Sequence, residues 1–358
     1  MRSYPGRAGA RRAEKPKYVE NTRCDRGEQR LTSSTVARCR CSREAVIRPA
    51  EGALVRSMRG GPGPAITKRR FRGGDGTRLA WYEAGRRDGP TLLFLSGLGG
   101  GFGVWRPFVE RFAQRCRLVG WDYRGLYRSG IPASPDAFSM DHHIADLLAL
   151  LDHAQIESPI LVGWSMGVQL GLELHRHHAE VPRALIGVHG TSGRPLETVD
   201  SRWGMRIGRA VLALLGRMER SLAGLGPRLV DAPGVARGFT LLCRSFGLMT
   251  PDIDVDAFRD MARDWTRLDF AVYARTFAHV SDHDASDLLP KIETPTLIVA
   301  GARDPLTPAR TARQMVRFMP HAELALVDDA THFGLLEQPA AITEHAARFL
   351  RQRLDMDV

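Results

Sequence analysis

The amino-acid sequence predicts a doubly wound, mostly parallel eight-stranded α/β sheet with a helical cap inserted after its sixth strand. Three observations lead there. From about residue 66 onward, short apolar runs alternate with segments of helical length and period. Most of those runs are hydrophobic throughout, the pattern of strands buried on both faces. One interval of roughly a hundred residues, between His189 and Thr296, holds no strong strand and is far longer than an ordinary connection.

Taken in order, Thr67–Arg72 and Arg78–Glu83 read as an opening hairpin, because the intervening Gly73-Gly74-Asp75-Gly76 has the composition of a tight turn. The buried strands follow at Thr91–Leu95, Arg117–Trp121, Ile160–Trp164, Ala184–His189, Thr296–Ala300 and Glu323–Val327. Helices are expected at Val104–Gln114, Met140–His153, Val168–His178, Pro308–Met319 and, at the end, Ala340–Leu354. Residues 66–190 and 291–358 then form the core, and residues 191–290 the helical cap. The cap's first helix, Arg202–Leu225, places Arg202, Arg206, Arg209, Arg217 and Arg220 on one side. Ile207, Val211, Leu214, Leu215, Met218 and Leu222 fall on the other, so an apolar face can cover the site while the arginines meet water.

Charge is unevenly spread. The chain of 358 residues carries a formal net charge of +11, but residues 1–65 hold 15 Lys and Arg against 6 Asp and Glu. The remainder is close to neutral, which argues against a nucleic-acid-binding body and assigns the basicity to a tail. That extension is rich in Arg, Gly, Pro and Ser and lacks apolar periodicity, so it is expected to be disordered. It contains Cys24, Cys39 and Cys41, whereas Cys116 and Cys243 lie in the body; the odd count without framework spacing suggests a reducing compartment and a cytoplasmic protein. Cys39-x-Cys41 has no second ligand pair, and Asp282-His283-Asp284 reads as a polar turn, so no metal and no cofactor is expected. No apolar run is long enough to span a bilayer. Nothing in the sequence specifies an oligomeric state.

The chemistry is concentrated around Gly163-Trp164-Ser165-Met166-Gly167, which directly follows the run Pro159-Ile160-Leu161-Val162. A serine at a sharp strand-to-helix turn needs small residues two positions before and after it, and both are glycine. The helix that follows turns its free N–H groups and positive dipole end toward the serine. Acyl transfer further needs a base, a carboxylate to orient the base, and donors for the oxyanion. Asp304 follows the strand Thr296–Ala300, at the strand end where such sheets bind ligands. His332 stands in a loop after the last expected strand. Ser96-Gly97-Leu98-Gly99-Gly100-Gly101 follows Thr91–Leu95 and can turn a backbone N–H inward, making Leu98 and Met166 the candidate oxyanion donors. Each residue also has a plainer reading: Ser165 or Asp304 as a helix cap, His332 as a packed loop histidine, and His175, His177 and His178 as surface residues. Trp164, Trp105 and Tyr127 are candidate pocket residues, with Trp265, Phe270, Tyr273 and Phe277 as further aromatics that core packing explains equally well.

Together, Gly163-Trp164-Ser165-Met166-Gly167, the Gly-x-x-Asp at 301–304, and His332 with Glu337-Gln338-Pro339 make the chain resemble the α/β-hydrolase fold superfamily over residues 66–354. Asp122-Tyr123-Arg124-Gly125 looks like that family's Asp-x-Arg-Gly turn. Two departures stand out: the oxyanion strand ends in Ser96-Gly97 where His-Gly is common, and Tyr127 replaces a glycine of Arg-Gly-x-Gly-x-Ser. The second implies a reshaped loop or an added pocket contact.

The resulting expectation is a serine hydrolase of the carboxylesterase type, in which Ser165 attacks, His332 shuttles the proton and Asp304 orients the imidazole. Its substrate is a carboxylic ester, lactone or thioester of a small to medium apolar molecule. The same triad also serves C–C bond hydrolases, acyltransferases and perhydrolases of the superfamily. A non-catalytic ligand-binding protein is the rival from another class, and an RNA- or membrane-associated role for the tail is a third.

Overall fold

The computed structural model describes residues 64–198, 228 and 230–358. All but the last two residues of the basic extension, and the expected helix Arg202–Leu225, lie outside the described residues. Eight strands form one sheet: β1 (Thr67–Arg72), β2 (Arg78–Gly85), β3 (Thr91–Leu95), β4 (Arg117–Trp121), β5 (Ile160–Trp164), β6 (Ala184–Val188), β7 (Thr296–Gly301) and β8 (Ala322–Val327). Their spatial order is β1-β2-β4-β3-β5-β6-β7-β8. β1 pairs antiparallel with β2 and β2 with β4, and every other pairing is parallel.

The ends of β1, β3, β4 and β5 coincide with their expected runs. β2 continues two residues past Glu83 because Ala84 and Gly85 pair with Leu118 and Arg117 of β4, a partner that local sequence does not announce. β6 stops one residue early, where His189 turns to a positive φ of 46°.

Helices α1 (Arg106–Phe112), α2 (Met140–His153) and α3 (Met166–His178) precede β6. The expected helix Val104–Gln114 is divided: a 3-10 turn covers Phe102–Trp105, and α1 starts beside Pro107, which is tolerated in a first turn because its missing N–H has no partner there anyway. Between β6 and β7 the described residues contain α4 (Val235–Ser245), α5 (Val255–Trp265) and α6 (Phe270–Asp282). Asp254 and Asp269 cap α5 and α6, each side chain accepting two backbone N–H groups of the first turn. Then come α7 (Ala309–Phe318) and α8 (Pro339–Leu354).

The strands bury both faces. Leu93, Leu95, Leu161, Leu185 and Ile298 pack with Leu147 of α2, Leu170 of α3 and Met315 of α7. Their neighbours Leu92, Phe94, Ile160, Val162, Ile186 and Val299 face Phe108 of α1 and Phe349 of α8. This alternation of faces is why the runs read as continuous hydrophobicity. A separate small cluster joins Cys243 of α4 and Phe258 of α5 to Leu336, so the helical insertion rests on the loop that follows β8.

The Asp122–Gly125 turn is structural. Arg124, fully buried, forms a bidentate pair with Asp146 at 2.8 and 2.7 Å, and also reaches Asp75 and the Ala137 carbonyl. Asp122 accepts the Tyr82 hydroxyl at 2.6 Å and the Arg128 N–H at 3.1 Å. No helix among the described residues is long and apolar enough to cross a membrane.

Candidate active site

Ser165 sits between the last residue of β5 and the first of α3, with φ 53° and ψ −115°, a conformation L-residues adopt only under constraint. The constraint is visible in its neighbours. A Cβ on Gly167 would overlap the Leu95 carbonyl oxygen, and one on Gly163 would lie 2.6 Å from the Gly167 backbone. The turn therefore closes only with glycine at both places.

The three residues expected from the sequence converge. Ser165 Oγ lies 3.0 Å from His332 Nε2, and His332 Nδ1 lies 2.9 Å from Asp304 Oδ2. Asp304 also accepts the N–H groups of Leu306 and Thr307 at 2.8 and 2.9 Å and the Thr307 hydroxyl at 2.7 Å. Asp304 does not cap α7, which begins after Pro308. Burial by itself raises its carboxyl, but the facing His332, the nearby His189 and the Thr307 N–H outweigh that and hold it down at about 2. With Asp304 ionised, Nδ1 of His332 carries the proton and Nε2 presents its lone pair to the serine.

The loop that carries His332 is pinned from two sides. The buried Glu337 carboxylate accepts the Thr331 N–H at 2.7 Å and the Thr250 N–H at 2.7 Å. The Trp164 indole donates to the His332 carbonyl at 3.1 Å. The same indole lies over the glycine-rich loop after β3, where a Cβ on Gly97 would meet it at 2.8 Å. Leu98, in that loop, and Met166, whose N–H is the first of α3 and so has no partner within the helix, both line the cavity beside Ser165.

His189 is a residue that sequence reasoning passed over. Its fully buried ring accepts the Gly301 N–H at 3.0 Å through Nδ1, 3.7 Å from Asp304 Oδ2. Burial lowers its pKa to about 4, so it stays neutral beside the acid.

Above the triad lies a cavity of about 640 Å³. Its walls combine Leu98, Trp164 and Met166 from the core with Phe239, Phe258, Met261, Trp265, Tyr273 and Phe277 from α4, α5 and α6. No Lys, Arg, Asp or Glu is among the described residues that line it.

Of the expected pocket residues, Trp164 lines this cavity and two others do not. Trp105 is a core residue: it is fully buried, stacks on Phe94 with centroids 4.7 Å apart, and donates its indole N–H to Ser96 Oγ at 2.9 Å. Ser96 thus anchors a tryptophan, and its carbonyl accepts the Tyr123 hydroxyl. Tyr127 takes a positive φ of 48° in a tight turn, its ring lies near Gly101, and it is not among the lining residues. Phe270 likewise stays outside, against Trp265. His175 is buried, not on the surface, bonded to the Gly171 carbonyl and Thr294. Phe239, Phe258 and Gln169 were not expected, because residues so far apart in sequence carry no local sign of sharing a cavity. Among the described residues no group of three or more His, Cys, Asp or Glu is arranged to hold a metal ion.

Comparison with known proteins agrees with this architecture. The family model for the alpha/beta hydrolase fold matches residues 90–339. The chain is 28% identical over 277 residues to 3-oxoadipate enol-lactonase 2 of Acinetobacter baylyi, covering 77% of this chain and 94% of the relative. It is 25% identical over 285 residues to pimeloyl-[acyl-carrier protein] methyl ester esterase of Vibrio vulnificus, covering 76% and 98%. Among solved structures, a hydrolase from Pseudomonas aeruginosa superposes with a TM-score of 0.62 at 24% identity, covering 79% of this chain and 98% of that one.

Proposed function

The chain belongs to the alpha/beta hydrolase fold family, and from that premise we propose that it hydrolyses a carboxylic ester, lactone or thioester through an acyl-enzyme on Ser165. The observation that carries the reading is the unbroken relay Ser165–His332–Asp304, at 3.0 and 2.9 Å, in the floor of an apolar cavity. The named activities of the two relatives, an enol-lactonase and a methyl ester esterase, favour acyl–oxygen cleavage over C–C cleavage.

In this reading His332 Nε2 takes the proton of Ser165 as the oxygen attacks the acyl carbon. Asp304 holds the imidazole in the receptive tautomer and stabilises the imidazolium that forms. The N–H groups of Leu98 and Met166 receive the developing oxyanion, a contribution of about 3 kcal/mol per donor in such sites. His332 then returns the proton to the leaving oxygen or sulfur, and water, activated by the same imidazole, attacks the acyl-enzyme and restores the serine. The strained backbone at Ser165 keeps Oγ on the cavity side throughout.

A fluorophosphonate probe tests the reading directly. Stoichiometric labelling at Ser165, together with 4-nitrophenyl ester turnover that disappears in Ser165→Ala, is the expected result. A folded protein that neither labels nor turns over esters would instead favour a non-catalytic binding role.

A further inference from the structure

Gln169 lies one helical turn after Ser165 on α3, and its side chain is held in one orientation. Its Nε2 faces four acceptors: the carbonyls of Gly193 and Val280 at 3.3 Å, the carbonyl of His283 at 3.4 Å, and His283 Nδ1 at 3.4 Å. His283 is itself set by Glu173, whose carboxylate lies 2.9 Å from Nε2. That contact places the histidine proton on Nε2 and leaves the Nδ1 lone pair for the Gln169 amide. An oxygen in place of the amide nitrogen would confront four acceptors, so the nitrogen must point to this wall. The turn Asp282-His283-Asp284 is thereby explained as the clamp on Gln169.

The amide oxygen is left over. Gln169 is 1% exposed and lines the cavity, and no donor among the described residues is placed on its Oε1. Of the other polar side chains there, Thr266 donates to the Arg263 carbonyl, Thr307 donates to Asp304, Thr191 accepts the Gly193 N–H, and Tyr273 meets Trp265. An acceptor that no described protein donor meets is available to a donor on a ligand that enters the cavity.

We infer that Gln169 Oε1 is a specificity acceptor, and that the substrate is an uncharged acyl ester or lactone whose buried portion carries a hydroxyl or amide N–H a few bonds from the scissile carbonyl. This rests on the hydrolase reading of the same site. A charged group has no counterion among the described lining residues, whereas a neutral donor satisfies Gln169 Oε1.

The test compares kcat/KM of the purified full-length protein for 4-nitrophenyl hexanoate, each enantiomer of the 3-hydroxyhexanoate, and the 3-oxohexanoate. A second pair, 4-acetamidobutanoate against heptanoate, places an N–H deeper in the cavity. The expected result is a preference of about fivefold for at least one donor-bearing ester over its hydrocarbon counterpart, with no gain for the 3-oxo ester. In Gln169→Leu the ratio of donor-bearing to hydrocarbon ester falls to about one, whatever the change in absolute rate. Turnover of all esters without preference in wild type overturns the inference alone. A preference for the 3-oxo ester also overturns it, and transfers the role to the Tyr273 hydroxyl. No turnover of any ester overturns the hydrolase reading, and this inference with it.

Discussion

The indole Nε1–H of Trp164 donates to the main-chain oxygen of His332 across 168 residues of sequence. One hydrogen bond thus joins the strand end that precedes Ser165 to the loop that carries His332. Trp164→Phe keeps a ring over Gly97 and Gly100 but leaves the His332 carbonyl without its donor. Denaturant unfolding should show a loss of about 1–2 kcal/mol. Ester turnover should fall several-fold in kcat with KM little changed, because the imidazole loses registration while the cavity keeps its walls.

Ser96 is expected to matter for stability more than for chemistry. Its hydroxyl accepts the buried Trp105 indole, while any oxyanion donor in that loop is a backbone N–H. Ser96→Ala leaves the indole N–H unpaired and should cost about 1–3 kcal/mol by chemical denaturation. The rate of fluorophosphonate labelling per folded molecule should remain close to wild type. A labelling defect as large as that of Ser165→Ala would show that the hydroxyl takes part in catalysis.

Gly167→Ala should be severe, because the added methyl overlaps the Leu95 carbonyl, which belongs to the neighbouring strand and has little room to yield. The expected loss is at least about 3 kcal/mol, read as a lowered melting temperature or as insoluble protein. Gly103→Ala is the control: nothing lies within 4 Å of its Cβ position, and its stability should stay within about 0.5 kcal/mol of wild type.

Asp304 makes stability depend on acid. Its carboxyl is held at about 2 against an ordinary 3.8, so the folded state favours the ionised form. Its contribution is therefore complete above about pH 4 and is lost as pH falls through about 2. The stability gap between wild type and Asp304→Asn, about 2 kcal/mol near neutrality, should shrink steadily below pH 4 in urea titrations. A gap that stays constant down to pH 2.5 would mean that Asp304 acts through its packing and not its charge.

The strands β3, β4 and β5 were legible because a strand covered on both faces must be apolar at every position. Gly163 and Gly167 were legible because a tight strand-to-helix turn excludes side chains whatever surrounds it. The pocket was far less so. Trp105 and Trp164 are the same residue type near the same glycine loop, yet one stacks on Phe94 inside the core and the other walls the cavity. His175 carries the same ambiguity on α3: helical period alone did not reveal the Thr294 contact that buries it. Tyr127 departed from the expected motif, yet it is not among the residues that line the cavity.

By itself, then, the sequence determined the alternation of strands and helices, and the chain order of Ser165, Asp304 and His332. These follow from local rules: backbone sterics at the turn, the period of burial, and the strand ends at which loops can hold chemistry. Tertiary structure alone decided that α4, α5 and α6 contribute to the cavity wall, that His189 sits beside Asp304, and that His283 fixes the amide of Gln169. Those contacts span more than a hundred residues in the cases of His189 with Asp304 and Gln169 with His283. They depend on how the insertion packs on the sheet, and no local pattern of residues encodes that packing.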